Sequence, residues 1–408
     1  MNRQNFLGHL TLALAIIIVA AFVGQMRRWE KERAARTFSP PATFKKAARQ
    51  EMIPLYLNEP EMLIRFKPGV TAEQIERIAE IYNDEVEDVF EAVGSLAVIS
   101  DEDGLDAAEV AAYRSLPIVD YVEPNYDISL DEPAVAEESS DFDDSSAFVK
   151  LAGPNDPQFA EQWALNNTGQ RNGKHKADID AIKAWGSTHG NGKVVVAVLD
   201  SGVDYTHPDL VTNMWIRPDS LAPYFDNHLG EIDDEHGYNA TENNGDPMDD
   251  NGHGTHCAGI IGAEGDNNEG IAGVNWKVEI MPLKFMSAGG FGTTKDAIEA
   301  INYVIARKKA GVNVRVISAS WGSTQRSRAL EDVIRKAGDE GILFVAASGN
   351  ANANTDRVPH YPSSYTLPNV VSVAALNRND EIASFSNYGP KSVHIAAPGV
   401  EILSTWLN

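Results

Sequence analysis

From residue 155 onward, uninterrupted apolar runs alternate with stretches of helical periodicity. The apolar runs occupy residues 194–199, 314–317 and 342–346. Runs of this kind are typical of parallel strands that are covered on both faces. The helical stretches occupy residues 294–308 and 327–338, each just before one of the later runs. The pattern therefore predicts an α/β fold with a doubly wound, mostly parallel sheet, in which ligands bind at the carboxyl ends of the strands.

The preceding region, residues 61–130, has the pattern of a separate small α+β domain. Thr71 and Gln74 have the spacing of a capping box, which predicts that a helix begins there. Strand-like segments lie at residues 62–66, 95–99 and 119–125. Residues 131–150 are acidic, rich in serine and poor in apolar side chains, so they predict an exposed linker before the larger domain at 155–408.

The first 36 residues predict a targeting signal. An apolar run of 15 residues at positions 10–24 suits a signal peptide and is short for a membrane span of about 20 residues. Arg27, Arg28, Lys31 and Arg33 follow it, and positive charge at this place resists translocation. We expect export to the extracellular space or the cell envelope, with a cleaved signal peptide and an uncleaved membrane anchor as open alternatives.

The formal charge of −25 argues against a nucleic-acid partner, because the phosphates would repel the protein. Seven acids and no base lie in residues 131–149, and eight acids and no base lie in residues 231–250. Solvated loops, halotolerance and calcium binding all account for such stretches. The single cysteine, Cys257, excludes an intramolecular disulfide. We expect it to be a buried small residue, with a reactive thiol as the alternative.

Three polar residues lie where the predicted elements begin or end. Asp200 ends the first apolar run, His253 begins a segment of small residues typical of a helix start, and Asn350 follows the third run. A serine hydroxyl becomes a nucleophile when a histidine accepts its proton and a buried carboxylate orients that histidine. A side-chain amide can bind the oxyanion that develops. This set of residues, in this order, predicts serine-protease chemistry.

The chain from Asn155 to its end resembles the subtilisin family of serine proteases. The motifs that carry the resemblance are Asp200-Ser201-Gly202, the segment His253 to Gly259 and Ala347-Ser348-Gly349-Asn350. The resemblance implies that Asp200 is the catalytic aspartate, His253 the general base and Asn350 the oxyanion-binding residue. It also implies that Ser320, Trp321 and Gly322 pair with the substrate backbone, and that Ala347, Ser348 and Gly349 form the facing wall of the specificity pocket.

The same resemblance implies how the protein is matured and stabilised. Residues 61–130 resemble the family's propeptide, which assists folding and inhibits the protease until it is cleaved, so the expected partners are polypeptide substrates and the chain's own propeptide. We expect a monomer. Calcium is the expected cofactor, with Asp156, Asp209 and Asn267 as side-chain ligands and carbonyl ligands from residues 265–271. A second set, Glu242, Asn244 and Asp246, fits a calcium site or a plain acidic loop equally well.

One departure from the family concerns the nucleophile. The family's serine lies in a Gly-Thr-Ser-Met-Ala segment, and this sequence reaches Asn408 soon after Ala397-Pro398-Gly399 without such a segment. We expect an incomplete copy of a longer protease rather than a natural pseudoenzyme. The alternative is a non-catalytic pseudoprotease that binds or inhibits peptides. A nucleotide-binding protein is disfavoured, because no glycine-rich phosphate loop follows the first strand.

Overall fold

A computed structural model describes residues 59–105, 107–130 and 153–407 of the chain. The predicted targeting signal at residues 1–36 and the whole of the predicted linker at 131–150 lie outside these ranges. Within the described ranges, no helix combines the length and the apolar character that crossing a bilayer requires.

Residues 59–130 form an antiparallel sheet with two helices. The strand order is β2-β3-β1-β4, with β1 (Glu59–Phe66), β2 (Glu85–Val89), β3 (Leu96–Leu105) and β4 (Val119–Pro124). The helices are α1 (Ala72–Tyr82) and α2 (Ala107–Ser115). The capping box is confirmed, because the Thr71 side chain accepts from the Gln74 amide and the Gln74 side chain accepts from the Thr71 amide. A short further strand, β5 (Asp127–Ser129), follows.

Residues 153–407 are built around a seven-stranded parallel sheet. Its strands are β6 (Gly190–Asp200), β9 (Tyr238–Asn239), β10 (Lys277–Lys284), β12 (Val314–Ala319), β13 (Leu343–Ala347), β14 (Val370–Leu376) and β15 (Ile395–Pro398). Outside this sheet lie the hairpin of β7 (Tyr224–Asp226) and β8 (Gly230–Ile232), and the strand β11 (Phe291–Thr293). The longer helices are α4 (His253–Gly262), α5 (Thr294–Lys309) and α6 (Arg328–Asp339), and a shorter one is α3 (Ala181–Trp185). The doubly wound α/β prediction is confirmed.

The strand order places a crevice beside the first strand. The order is β15-β14-β13-β12-β6-β10-β9, so the chain first extends the sheet from β6 to β10 and later returns to add β12 on the other side of β6. Such a reversal separates the loops that leave adjacent strands and opens a cleft at their carboxyl ends. Asp200 is the last residue of β6, and Ser320 follows β12 directly. The fold thus brings both to the mouth of one cleft.

The four-stranded sheet packs one face against α5 and α6, and we call this contact the docking interface. Leu63 and Tyr121 of the sheet, and Phe90 directly after β2, belong to the same buried cluster as Tyr303 of α5. Polar contacts surround the cluster. Lys295 pairs with Glu61 at 3.0 Å and with Glu87 at 2.7 Å, and Glu123 accepts hydrogen bonds from the amino-terminal turn of α6. The docking interface therefore combines an apolar centre with charged pairs.

Candidate active site

Asp200 and His253 form a hydrogen-bonded pair at the carboxyl edge of the parallel sheet. The distance from His253 Nδ1 to Asp200 Oδ1 is 2.7 Å. Asp200 is only 1% exposed, and its Oδ1 also accepts from the Ser201 amide at 2.8 Å. A buried carboxylate on one ring nitrogen fixes the orientation of an imidazole and leaves the other nitrogen available as a base. This is the arrangement that the sequence predicted for the two residues.

The local sequence brings α4 unusually close to β6. A Cβ atom at Gly254 would lie 1.9 Å from the Gly202 carbonyl oxygen and 3.2 Å from Asp200 Cβ, so only glycine permits this approach. Asn251 accepts from the His253 amide at 3.1 Å and so satisfies one of the amide donors exposed at the start of the helix. The first residue of α4 therefore has its ring held against Asp200.

Two neighbouring side chains raise the pKa of His253. Burial lowers the pKa of His253, but the Cys257 sulfur and the Asp200 carboxylate raise it by more, so the net pKa lies above the ordinary histidine value. Cys257 Sγ is 4.0 Å from His253 Nδ1, and the cysteine is half-buried. Asp200, His253 and Cys257 present ligand atoms within 4.8 Å of one another. The thiol is thus part of the immediate surroundings of the base, and the prediction of a buried small residue is wrong in its degree of burial, because Cys257 is only partly buried.

Two residues that the sequence analysis missed, Asp249 and Lys284, hold the backbone next to Asp200 and His253. Asp249 accepts from the Ser201 hydroxyl at 2.9 Å and from the Thr255 hydroxyl at 2.6 Å, which ties the loop after β6 to α4. Lys284, at the end of β10, is 5% exposed and donates to the Ser201 carbonyl at 2.9 Å and to Asp250 at 2.5 Å. A buried lysine between carbonyls and a carboxylate is a charge compensated in place. Asp249 and Asp250 lie in the acid-rich stretch at residues 231–250, so the sequence alone did not distinguish them from solvated acids.

Several of the predicted substrate-contacting residues line one cavity. Its volume is about 380 Å³, and Ser320, the segment 347–349 and Asn350 line it together with Ile260 of α4. Trp321 is different, because its side chain is fully buried and donates to the Leu199 carbonyl at 2.8 Å. In residues 320–322 it is therefore the backbone that faces the cleft, while the indole anchors the segment to β6.

Asn387 orders the loop that carries Asn350, and no sequence signal pointed to it. Its Oδ1 accepts from the Ala351 and Ala353 amides at 3.0 and 2.9 Å, and its Nδ2 donates to the Ser348 carbonyl at 2.8 Å. Asn387 is 2% exposed. One buried amide thus fixes the backbone on both sides of Asn350.

A segment of the chain itself lies in the cleft as an added strand. β5 pairs antiparallel with β11, and Ser129 forms an antiparallel bridge to Gly322 on its other side. The Leu130 amide continues the pairing by donating to the Gly290 carbonyl at 3.0 Å. Ile128 is 3% exposed and joins the main core cluster. Gly322, assigned above to substrate pairing, is therefore paired with Ser129, near the end of residues 59–130, which we call the N-terminal unit.

The predicted calcium ligands come together near the loop after α4. Asp209 Oδ1 accepts from Asn267 Nδ2 at 2.9 Å, and its Oδ2 accepts from the Ile271 amide at 2.9 Å. Asp156 Oδ2 accepts from the Asp266 amide at 2.8 Å, and its Oδ1 is buried without a hydrogen-bond partner. Burial raises the pKa of both carboxyl groups, and the charge of Asp209 raises the pKa of Asp156 further.

These residues fit a calcium ion. Two buried carboxylates, one of them with an orphaned oxygen, are stabilised by a divalent cation that prefers oxygen ligands. The loop also leaves little space, because a Cβ at Gly270 would lie 2.4 Å from Asp209 Oδ2. Asp156, Asp209 and Asn267 would hold the ion, which would supply the positive charge that this pair of acids lacks.

The second set of predicted ligands forms hydrogen bonds mainly within its own loop. Asn244 Oδ1 accepts from the Asp246 amide at 2.9 Å, and Asn244 Nδ2 donates to Glu242 at 3.1 Å. Asp246 Oδ1 accepts from the Met248 amide and from the Tyr205 hydroxyl. Turns of this kind are the ordinary use of Asp and Asn side chains, so the plain-loop alternative accounts for these three residues.

Comparison with known proteins places this geometry in a family. The sequence profile of the Subtilase family matches residues 191–407. A thermophilic serine proteinase of Bacillus sp. strain AK1 is 33% identical over 349 residues, which are 85% of this chain and 71% of that protein. The chain belongs to the subtilase family. Thermitase of Thermoactinomyces vulgaris is also similar to this subtilase, with 35% identity over 62% of this chain and 76% of thermitase.

Among solved structures, this subtilase resembles fervidolysin from Fervidobacterium pennivorans, which is described as a keratinolytic enzyme related to subtilisin. The TM-score is 0.63 at 24% identity, over 86% of this chain and 48% of fervidolysin. At that identity the likeness supports the fold. Some relatives are much longer, since the matched region is only 16% of subtilisin-like protease 2 of Plasmodium falciparum.

Proposed function

We propose that this subtilase is an exported serine endopeptidase made as a zymogen and stabilised by calcium. The observation that carries the proposal is the Asp200–His253 pair, 2.7 Å apart, next to a cleft in which an extended segment pairs with residues 291–293 and 322. An added strand is how sheet edges bind extended polypeptides. The substrate is therefore a peptide segment that replaces β5 in the cleft.

In this function each site residue has a separate role. His253 accepts the proton of the serine hydroxyl, Asp200 holds the imidazole and stabilises its charged form, and Asn350 donates to the oxyanion of the tetrahedral intermediate. The nucleophilic serine is supplied by a segment beyond residue 408.

The zymogen part of the proposal follows from the position of β5. While residues 127–130 pair with both edges of the cleft, a substrate strand cannot pair there. Cleavage after this segment would free its end and let the N-terminal unit leave. The docking interface then sets how fast the cleft becomes accessible.

A labelling experiment tests the function. The gene is expressed with the codons that follow residue 408, and the secreted protein is treated with a fluorophosphonate, which reacts only with an activated serine. Labelling that is lost in His253→Ala is the expected result. A genuine stop codon at that point, or an absence of labelling in a folded protein, would support the alternative of a non-catalytic peptide-binding pseudoprotease.

A further inference from the structure

Four carboxyl groups meet at the docking interface with little positive charge to balance them. Asp88 comes from β2, Glu91 from the turn after β2, Asp226 from β7 and Glu299 from α5. Asp88 and Glu299 interact electrostatically across the interface. A small cavity of about 60 Å³ adjoins them, lined by Asp88, Glu299 and Leu229 among others.

Two oxygens of this group of acids are buried and lack a partner. Glu299 is 5% exposed, and its Oε2 has no hydrogen bond, while its Oε1 accepts weakly from the Tyr238 hydroxyl at 3.5 Å. Asp226 is 1% exposed, and its Oδ2 also has no partner. Buried carboxylate oxygens without donors are costly as charges, and a proton on one of two contacting carboxyl groups removes that cost.

Further charged or titratable groups surround Asp88 and Glu299. The group that could carry positive charge next to Asp88 is His228, with Nε2 at 3.9 Å from Asp88 Oδ1. Lys295 lines the same cavity but pairs with Glu61 and Glu87. Asp296 is bonded to Thr293 at the start of α5. Glu91 is already bonded to the Asn227 amide and to Asn302 Nδ2.

We propose that Asp88 and Glu299 share a proton across the docking interface, and that loss of this proton as the pH rises releases the N-terminal unit from the catalytic unit. The shared proton forms an O–H···O bond between the two carboxyl groups. When it leaves to solvent, two like charges face each other beside the buried Asp226, and the exposed Glu91 adds a further negative charge nearby. Their repulsion and desolvation oppose docking. The interface is thus tightest in acid and loosens towards neutral pH.

The direction agrees with the electrostatics of both groups. Burial raises the pKa of Asp88, and the charges of Asp226 and Glu91 raise it further. Burial also raises the pKa of Glu299, together with the charges of Asp88 and Asp226. A carboxyl group whose pKa is higher when docked stabilises docking fully below its free pKa, and this contribution is lost as the pH rises through the docked pKa. Each pKa unit by which the docked and free states differ changes the docking equilibrium constant tenfold.

Hydrogen exchange of the full chain tests the proposal at two separate amides. Ala92 donates to Asn302 Oδ1 at 2.7 Å and reports on the docking interface, and Leu130 donates to Gly290 and reports on the cleft. Protection is measured from pH 5 to pH 8 and corrected for intrinsic exchange at each pH. In the unmodified chain, we expect protection of residues 85–93 to fall at least about tenfold over this range.

The variant Glu299→Gln replaces the titrating carboxyl group by a neutral amide of the same shape. It should keep protection constant within about twofold over the same range, since no proton remains to be lost. Asp88→Asn is the second variant, in case Glu299→Gln fails to fold. Exchange of the β6 and β10 amides reports folding in both. A flat profile in the unmodified chain, or a fall in both variants as steep as in the unmodified chain, would overturn the proposal.

Glu87→Gln is the matched control, because Glu87 lies on the same strand but pairs with Lys295. Loss of the Glu87 charge should lower the protection of residues 85–93 at every pH and leave the pH dependence of that protection unchanged. The proposal rests on the proposed zymogen function, and the two are distinguished by the cleft amide. If residues 126–130 exchange freely at every pH, the zymogen function fails. If they stay protected with no pH dependence, only the shared-proton proposal fails.

Discussion

Asp200 and Asp156 are both carboxylates buried in the larger domain, residues 153–407, and their surroundings differ in one respect. Asp200 faces the imidazole of His253 at 2.7 Å, a group that can take a positive charge. Asp156 faces a second acid, Asp209, and its hydrogen-bond donor is a backbone amide. Burial alone therefore does not define a role for an acid. The charge of the neighbouring group decides whether a buried acid orients a base or needs a bound cation.

The largest expected effect comes from removing the charge at Asp200. In a complete enzyme, Asp200→Asn should lower kcat by about 10⁴-fold, because the amide cannot stabilise the imidazolium and favours the wrong ring tautomer. Hydrolysis of a chromogenic peptide measures it. Asp233→Asn serves as the control, since this acid is exposed and pairs with Arg217 at the surface. Near-normal kcat in Asp200→Asn would remove the assigned role.

Calcium removal should affect the other acid pair. A chelator should lower the Tm by roughly 5–10 °C, because about 100 Kd of free ligand contributes about 2.7 kcal/mol and a domain of this size shifts by about 2–4 °C per kcal/mol. Asp156→Asn should abolish most of this response, as seen by differential scanning calorimetry. Asp246→Asn, in the exposed acidic loop, should respond like the unmodified protein. If Asp246→Asn instead loses the response, the ion binds at the second loop.

At the docking interface a third buried acid, Glu123, faces the start of helix α6. Glu123 accepts from the Ser327 hydroxyl at 2.5 Å and from the Arg328 and Ala329 amides at 2.9 and 3.0 Å. Glu123→Gln should weaken docking by about tenfold, because it loses a charge at the positive end of α6. Exchange of the amides in the first turn of α6 measures this. Glu73→Gln, on an exposed face of α1, should leave exchange unchanged.

The smallest effect expected is a pH dependence of the calcium response. Burial raises the pKa of Asp156 and Asp209, so protons stabilise the folded, calcium-free pair below the ordinary aspartate range and this contribution is lost as the pH rises through the raised values. Calcium competes with those protons, so the Tm gain from calcium should increase from pH 4.5 to pH 7.5 by a few degrees. Thermal melts with calcium and with a chelator measure it. A gain that is equal at both pH values would contradict the assignment of these acids.

Much of the secondary structure and of the site was predictable, because the relevant signals are local. The apolar run at 194–199 matches the buried part of β6, and the small-residue segment from His253 matches α4. Asp200 and His253 were identified by the residues beside them. The strand β5 was missed, although Asp127, Ile128 and Ser129 alternate between polar and apolar, because three residues of alternation carry too little signal by themselves.

Sequence by itself determined which segments are helix or strand and which residues can do acid–base chemistry, since both depend on periodicity and on neighbouring residues. Tertiary structure alone decided which distant groups meet. Asn387 reaches the loop of Asn350, Lys284 lies under Ser201, and β5 is inserted between β11 and Gly322. Asp88 likewise meets Glu299 only because the four-stranded sheet packs on α5. Such contacts depend on how whole elements pack, and packing of surfaces that are far apart in the chain leaves no local pattern in either segment.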